Sequence, residues 1–173
     1  GLVAAGQTVA LKVAGVGAVP AGAAAVTLNV TSTDAFSAGY VTVYACDGPV
    51  PTVSNLNPLP GRARPNLVVT PVSSNGMVCL FSLQATELIV DATGYLSTGS
   101  TRVFTPSTPF RFVDTRDTTR PEMNIGTNGS VLRAGQTLVV QIAGSRGVPA
   151  DATAVSLNLT VVGAANVGYV TAW

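Results

Sequence analysis

Two carboxylates, Asp91 and Asp114, end the strand-like stretches Leu88-Ile89-Val90-Asp91 and Phe110-Arg111-Phe112-Val113-Asp114. A pair of carboxylates is the equipment of a glycosidase. Their setting argues otherwise. At period two, Asp91 continues the Ile89 face, and Asp114 and Arg116 continue the face of Phe110 and Phe112. A carboxylate at the end of an apolar face needs a cationic partner or backbone donors, and Arg116 stands two residues beyond Asp114. The expectation is a structural polar network of Asp91, Asp114 and Arg116 that pins strand ends, not an acid–base pair.

The remaining chemistry is sparse. The chain has no His, which removes His-based triads, the imidazole general base and the commonest metal ligand. Two cysteines, Cys46 and Cys79, are too few for a structural zinc site. They form either a disulfide between neighbouring strands or two buried thiols, and scarce Lys and Glu with abundant Thr and Ser favour the disulfide in an oxidising compartment. Asp114, Asp117 and Glu122 are candidates for calcium, yet they lack the dense oxygen spacing of a calcium loop and are interrupted by Arg116 and Arg120. Sequons occur at Asn29, Asn128 and Asn158. Those at Asn29 and Asn158 fall in strand-like stretches and read as outward polar positions. Tyr40, Tyr44, Tyr95, Trp173 and the Phe residues are candidates for a sugar-stacking face, but aromatics make up only 6% of the chain, and core packing is the default. No catalytic residue, cofactor or metal ligand is expected, and the chain does not read as an enzyme.

Composition narrows the partners. The apolar fraction of 47% is ample for a core, while charged residues reach only 10% and net charge is +1. A nearly neutral surface gives nucleic acid no electrostatic footprint. The most apolar region, residues 9–30, contains Lys12, Pro20 and Asn29 and lacks the run of about 20 apolar residues that membrane insertion requires. Gly1 leads directly into mature-looking sequence, so the targeting segment of an exported chain would lie outside it.

Organisation follows from an internal repeat. Residues 5–44 align without a gap to residues 134–173 at an offset of 129, with twenty of forty positions identical. A period of this length suits a whole β domain. The expected division is 1–97 as the later part of one module, 98–102 as a linker, and 103–173 as the earlier part of the next. Residues 103–133 are then placed to complete the 1–97 unit, or the same gap in another copy.

The elements that must position all this are strands. Val26, Leu28 and Val30 alternate with Thr27, Asn29 and Thr31 as in a half-buried strand. Further strands are expected at 7–14, 39–45, 66–72, 77–82, 87–95, 110–115 and 136–143. Asn75-Gly76 suggests a hairpin between 67–72 and 77–80. Five prolines between positions 49 and 65 mark 47–65 as an irregular loop. Short strands and frequent turns predict an all-β antiparallel sandwich, with a barrel as the alternative.

Phe112-Val113-Asp114-Thr115-Arg116, Ala-Gly-Gln-Thr, Gly147-Val148-Pro149, Ala154-Val155-Ser156-Leu157-Asn158-Leu159-Thr160 and Gly39-Tyr40-Val41-Thr42-Val43-Tyr44 follow at suggestive spacings. So do Ser54-Asn55-Leu56-Asn57, Asn66-Leu67-Val68-Val69, Gly76-Met77-Val78-Cys79-Leu80 and Ile89-Val90-Asp91-Ala92-Thr93-Gly94-Tyr95. Together they resemble, in permuted order, a tandem β module of secreted actinobacterial proteins. The resemblance implies a secreted or cell-surface location and modular reuse, and it carries no settled activity. Phe110-Arg111-Phe112 departs from that group's usual lead-in. The expected role is a structural or adhesive repeat of a stalk or fibre, partnered by neighbouring copies and capable of homopolymer formation. The alternative is a carbohydrate or cell-wall-binding module attached to an exported enzyme, with polysaccharide as partner.

Overall fold

β-branched residues at alternate positions favour a pleated, half-buried surface, and the chain folds accordingly into strands. The computed structural model describes residues 1–101, 103–104, 111–116, 131–166 and 168–173. It divides into two units, Gly1–Phe104 and Thr105–Trp173.

The first unit holds β1 (Leu2–Val3), β2 (Gln7–Lys12), β3 (Ala23–Thr33), β4 (Val41–Ala45), β5 (Arg64–Pro71), β6 (Met77–Ser82) and β7 (Thr86–Ser97). All pairings are antiparallel. One sheet has the order β1-β7-β3-β5 and the other β2-β6-β4, two open sheets rather than a closed barrel. Val26, Leu28 and Val30 of β3 are fully buried and meet Val41 and Val43 of β4, Val68 of β5, and Val78 and Leu80 of β6. Each such side chain contributes about 1.5–3 kcal/mol relative to leaving it exposed. Leu88 and Val90 of β7 pack against the same core. The buried hydroxyls are satisfied: Ser32 Oγ and Thr86 Oγ1 lie 2.7 Å apart, and Thr86 also donates to the Thr33 carbonyl at 2.9 Å.

The expected hairpin across Asn75-Gly76 is not formed. The tight reversal is present, with Gly76 at φ 75° and Ser73 N–H bonded to the Met77 carbonyl at 3.0 Å. Yet β5 pairs with β3, whereas β6 pairs with β2 and β4. The turn is a corner that carries the chain from one sheet to the other. Val68 and Thr70 before it and Val78 and Leu80 after it face one core from opposite sides, which alternation within each strand cannot distinguish from a hairpin. Lys12 Nζ, bonded to the Asn75 carbonyl at 2.5 Å, and Asp47, accepting from Ser74 N–H at 2.7 Å, pin the corner.

Edges are treated unequally. The irregular 46–63 stretch lies along β4, where Val41 N–H bonds the Leu56 carbonyl at 2.8 Å and Asn55 N–H bonds the Val41 carbonyl at 2.9 Å. β5 carries Pro65 and Pro71, which cannot donate to another strand. β1 covers β7 only at Thr86 and Glu87. Among the described residues, β7 has no pairing partner on that side from Leu88 onward.

The second unit repeats the turns of the first without its strands. Gly144 N–H bonds the Val148 carbonyl at 3.0 Å, as Gly15 bonds Val19 at 2.9 Å. Gln136 N–H bonds the Arg133 carbonyl at 3.1 Å, as Gln7 bonds Ala4 at 3.2 Å. Left-handed residues recur at the same offset: Gly6 and Gly135 at φ 73° and 74°, Gly15 and Gly144 at 80° and 75°, Gly17 and Arg146 at 56° and 51°, Asp34 and Gly163 at 48° and 66°. The strand expected at 136–143 is absent, and no described residue of the second unit is in a strand. Turns are closed by residues near in sequence, whereas β2 and β3 depend on β5, β6 and β7, of which these 173 residues contain a single set. The strand expected at 110–115 is also absent over its described part, where Asp114 and Arg116 form a turn instead. Most of 103–133, the segment expected to complete the first unit, lies outside the described residues.

Candidate functional site

Proline-rich chain cannot satisfy a neighbouring strand with its own N–H groups, so side chains of the 46–63 loop take over. Asn55 Oδ1 accepts from Val43 N–H at 2.8 Å. Thr42 Oγ1 donates to the Val53 carbonyl. Asn66 Nδ2, at the start of β5, donates to the Asn55 carbonyl at 2.6 Å. Ser54 Oγ donates to Asn57 Oδ1 at 2.7 Å, and Asn57 is exposed. Between these groups runs an open cleft of about 220 Å³ lined by Asn55, Leu56, Asn57, Arg64, Pro65 and Asn66. Arg64 is exposed, and its guanidinium has no partner among the described residues. Amides and a guanidinium offer planar donors and acceptors for hydroxyl or carboxylate groups. The lining contains no carboxylate, imidazole or thiol to move a proton or attack a bond. At that volume the cleft is smaller than the roughly 300–1,000 Å³ of enclosing small-molecule sites. Its donors and acceptors suit the edge of a polar chain rather than an enclosed small molecule.

The cysteines meet as a disulfide. Cys46, just past β4, is bonded to Cys79 in β6, with Cα atoms 5.1 Å apart. Its position follows from register, since Tyr44 stands opposite Cys79.

Of the expected polar network, Asp91 belongs to the first unit and Asp114 and Arg116 to the second. Asp91 lies on β7 opposite Asn29. Ile89 and Asp91 share a face as the alternation suggests, but that face is solvent, because Leu88 and Val90 are the residues that pack on the core. No side-chain hydrogen bond or ion pair of Asp91 is found among the described residues. Asp114, in the second unit, accepts from Arg116 Nε at 2.9 Å, Arg116 Nη2 at 2.8 Å, Arg116 N–H at 3.1 Å and Arg111 Nη1 at 2.8 Å. The bonds from the Arg116 side chain, then from its backbone N–H, hold the Asp114 carboxyl well below the usual carboxylate range. Burial opposes them, and the charges of Arg116 and Arg111 add to the depression. An Asp bonded to the N–H two residues on is a local turn that competes with extended pairing. A carboxylate so held is a poor general acid or base near neutrality.

Among the described residues no group of three His, Cys, Asp or Glu is placed to hold a metal ion. Asp117 and Glu122 of the considered calcium set, and the sequon at Asn128, lie outside them. Asn29 is on β3, half-buried, while Asn158 Nδ2 reaches Thr160 Oγ1 at 3.3 Å. Tyr40, Tyr44 and Tyr95 of the first unit do not form one platform. Tyr40 packs against Phe81 with ring centroids 6.0 Å apart, Tyr44 is at the end of β4, and Tyr95 is on β7 in the other sheet. Trp173, in the second unit, is exposed. No helix among the described residues is long and apolar enough to cross a membrane.

Sequence reasoning assigned no role to Asn55, Asn57, Arg64 and Asn66. The available signal was Asn55, Asn57 and Arg62 in a proline-rich loop with Arg64 and Asn66 directly after it, where polar side chains must replace missing backbone donors. Compared with family models, curated proteins and solved structures, the chain matches none. The fold and the sites therefore define an all-β antiparallel two-sheet unit with one disulfide.

Proposed function

We propose that the chain is a non-catalytic structural or adhesive repeat of a secreted or cell-surface protein, working as a stretch of stalk or fibre beside neighbouring copies of itself. The observation that carries this reading is the recurrence at a 129-residue offset of the same turns, down to the left-handed residues. Repetition of shape without a reactive constellation is what a spacer requires. The Cys46–Cys79 disulfide supports an oxidising compartment. A spacer should retain no ligand, so the chain is expected to pass unretarded over insoluble polysaccharides and to leave a glycan array blank. Specific retention of a polysaccharide overturns the spacer reading.

The second reading, a carbohydrate or cell-wall-binding module, is favoured by the Asn55–Asn57–Arg64–Asn66 cleft. It requires polysaccharide retention that Asn57→Ala with Arg64→Ala abolishes. Asn57 and Arg64 are exposed, so folding should survive. Retention unaffected by this pair of substitutions places binding elsewhere.

A further inference from the structure

We infer that residues 134–173 are one half of a sandwich whose exposed apolar face is a docking surface for a second segment of the 45–97 type, one not already engaged by residues 5–44. The first copy supplies the contrast. Val26, Leu28 and Val30 are 0% exposed, while their counterparts Val155, Leu157 and Leu159 are 43%, 52% and 62% exposed. Fully buried side chains in one copy are therefore surface side chains in the other, although the turns that aim them are the same.

The structure also identifies what covers such a face. In the first copy β3 lies between β5 and β7, and β6 lies between β2 and β4. Eight members of the core cluster come from residues 5–44, namely Val13, Val19, Ala23, Val26, Leu28, Val30, Val41 and Val43. Five recur unchanged at the offset of 129, as Val148, Ala152, Val155, Leu157 and Val170, and the other three become Ile142, Leu159 and Ala172. An apolar face that keeps every core position apolar and presents Asn158 and Thr160 where the first copy has Asn29 and Thr31 suits the same occupant. Extended chain added to an open strand gains main-chain hydrogen bonds as well as burial.

One position bears on the choice within that class. Ser32, bonded to Thr86 in the buried interior, is replaced by Val161. A Thr at the Thr86 position of the occupant keeps a main-chain acceptor like that of Thr33 and loses only the Ser32 hydroxyl, so an apolar residue there suits Val161 at least as well. The inference concerns assembly and holds whether the module is a spacer or a polysaccharide binder.

The test extends the full chain by a repeat of residues 45–97 joined directly after Trp173, as Ala45 follows Tyr44. Amide exchange by mass spectrometry over 154–160 should slow by about 100-fold or more, approaching that over 25–31. The emission of Trp173, the only tryptophan and 93% exposed, should shift to the blue. The added copies of Cys46 and Cys79 should be oxidised to a second disulfide. A version with the added Thr86→Val should protect 154–160 at least as well. Leu157→Asp in the extended chain should abolish protection there and leave 25–31 unaffected. Unchanged exchange over 154–160 in both extended chains, with 25–31 still protected, overturns the inference, as does protection that survives Leu157→Asp. Supplying residues 45–97 as a free peptide to the unextended chain is the arm to use if an extended chain loses protection at 25–31. Slowed exchange over 154–160 on peptide addition supports the inference, and its absence overturns it.

Discussion

Opening the disulfide should cost the first unit a large part of its stability, through the denatured chain more than the native one. The perturbation is Cys46→Ala with Cys79→Ala. The bridge spans a sequence separation of 33, enclosing the proline-rich loop, β5 and the Ser73–Gly76 corner. A closed loop of that length removes about 3.7 kcal/mol of denatured-state entropy at 25 °C. Native contacts change little, because Cys79 remains within β6 between Ala10 and Tyr44. Urea unfolding followed by circular dichroism should show a loss of about 3–4 kcal/mol, and for a domain of this size a melting point lower by roughly 15–30 °C. The cause leaves its own mark. A released loop exposes more surface when unfolded, so the denaturant slope m should rise in the variant. A loss under about 1 kcal/mol, or a full loss with an unchanged or smaller m, refutes the argument from chain entropy.

Leu28→Ala should destabilise the first unit by about 2–5 kcal/mol, since its side chain is fully buried. Leu157→Ala, the same change one repeat later, should stay within about 0.5 kcal/mol in urea unfolding of the unextended chain. Asn55→Ala removes the acceptor of Val43 N–H and should cost about 1–3 kcal/mol, with faster exchange at the Val43 amide by NMR. Carbon-detected NMR should find Asp114 titrating below the ordinary aspartate range. Because its folded pKa is depressed, its pairing is complete above the ordinary value and is lost only as pH falls through the lower folded one. Arg116→Gln should return the midpoint toward the ordinary range, and an ordinary midpoint in the unsubstituted chain contradicts the assignment.

Much of the fold was legible because burial and alternation coincide. Val26, Leu28 and Val30 read as one face and form one face. Asn-Gly is a local signal for reversal, and the reversal is there, but which sheet receives the next strand depends on a core shared by residues far apart in sequence. The stretch 136–143 has the alternation of β2 and remains without a strand, because alternation states which face a strand would bury and not whether a partner is at hand. Asp114 beside Arg116 was legible as a pair, while its Asx-type turn was not, since apolar neighbours at alternate positions outweighed one short polar side chain. The cleft around Asn55 and Arg64 was hidden for another reason. It is made by a loop without periodicity folding back on the start of β5.

The bare side of β7 has a consequence for handling the protein in solution. Among the described residues nothing pairs with that flank from Leu88 to Ser97, where Ile89, Tyr95 and Leu96 are half exposed and Asp91 is the one charged residue of the strand stretch. So little like-charge repulsion lets two molecules approach flank to flank. Concentrated stocks should turn cloudy or gel well below the melting temperature, and a single lysine at Ile89 should keep them clear.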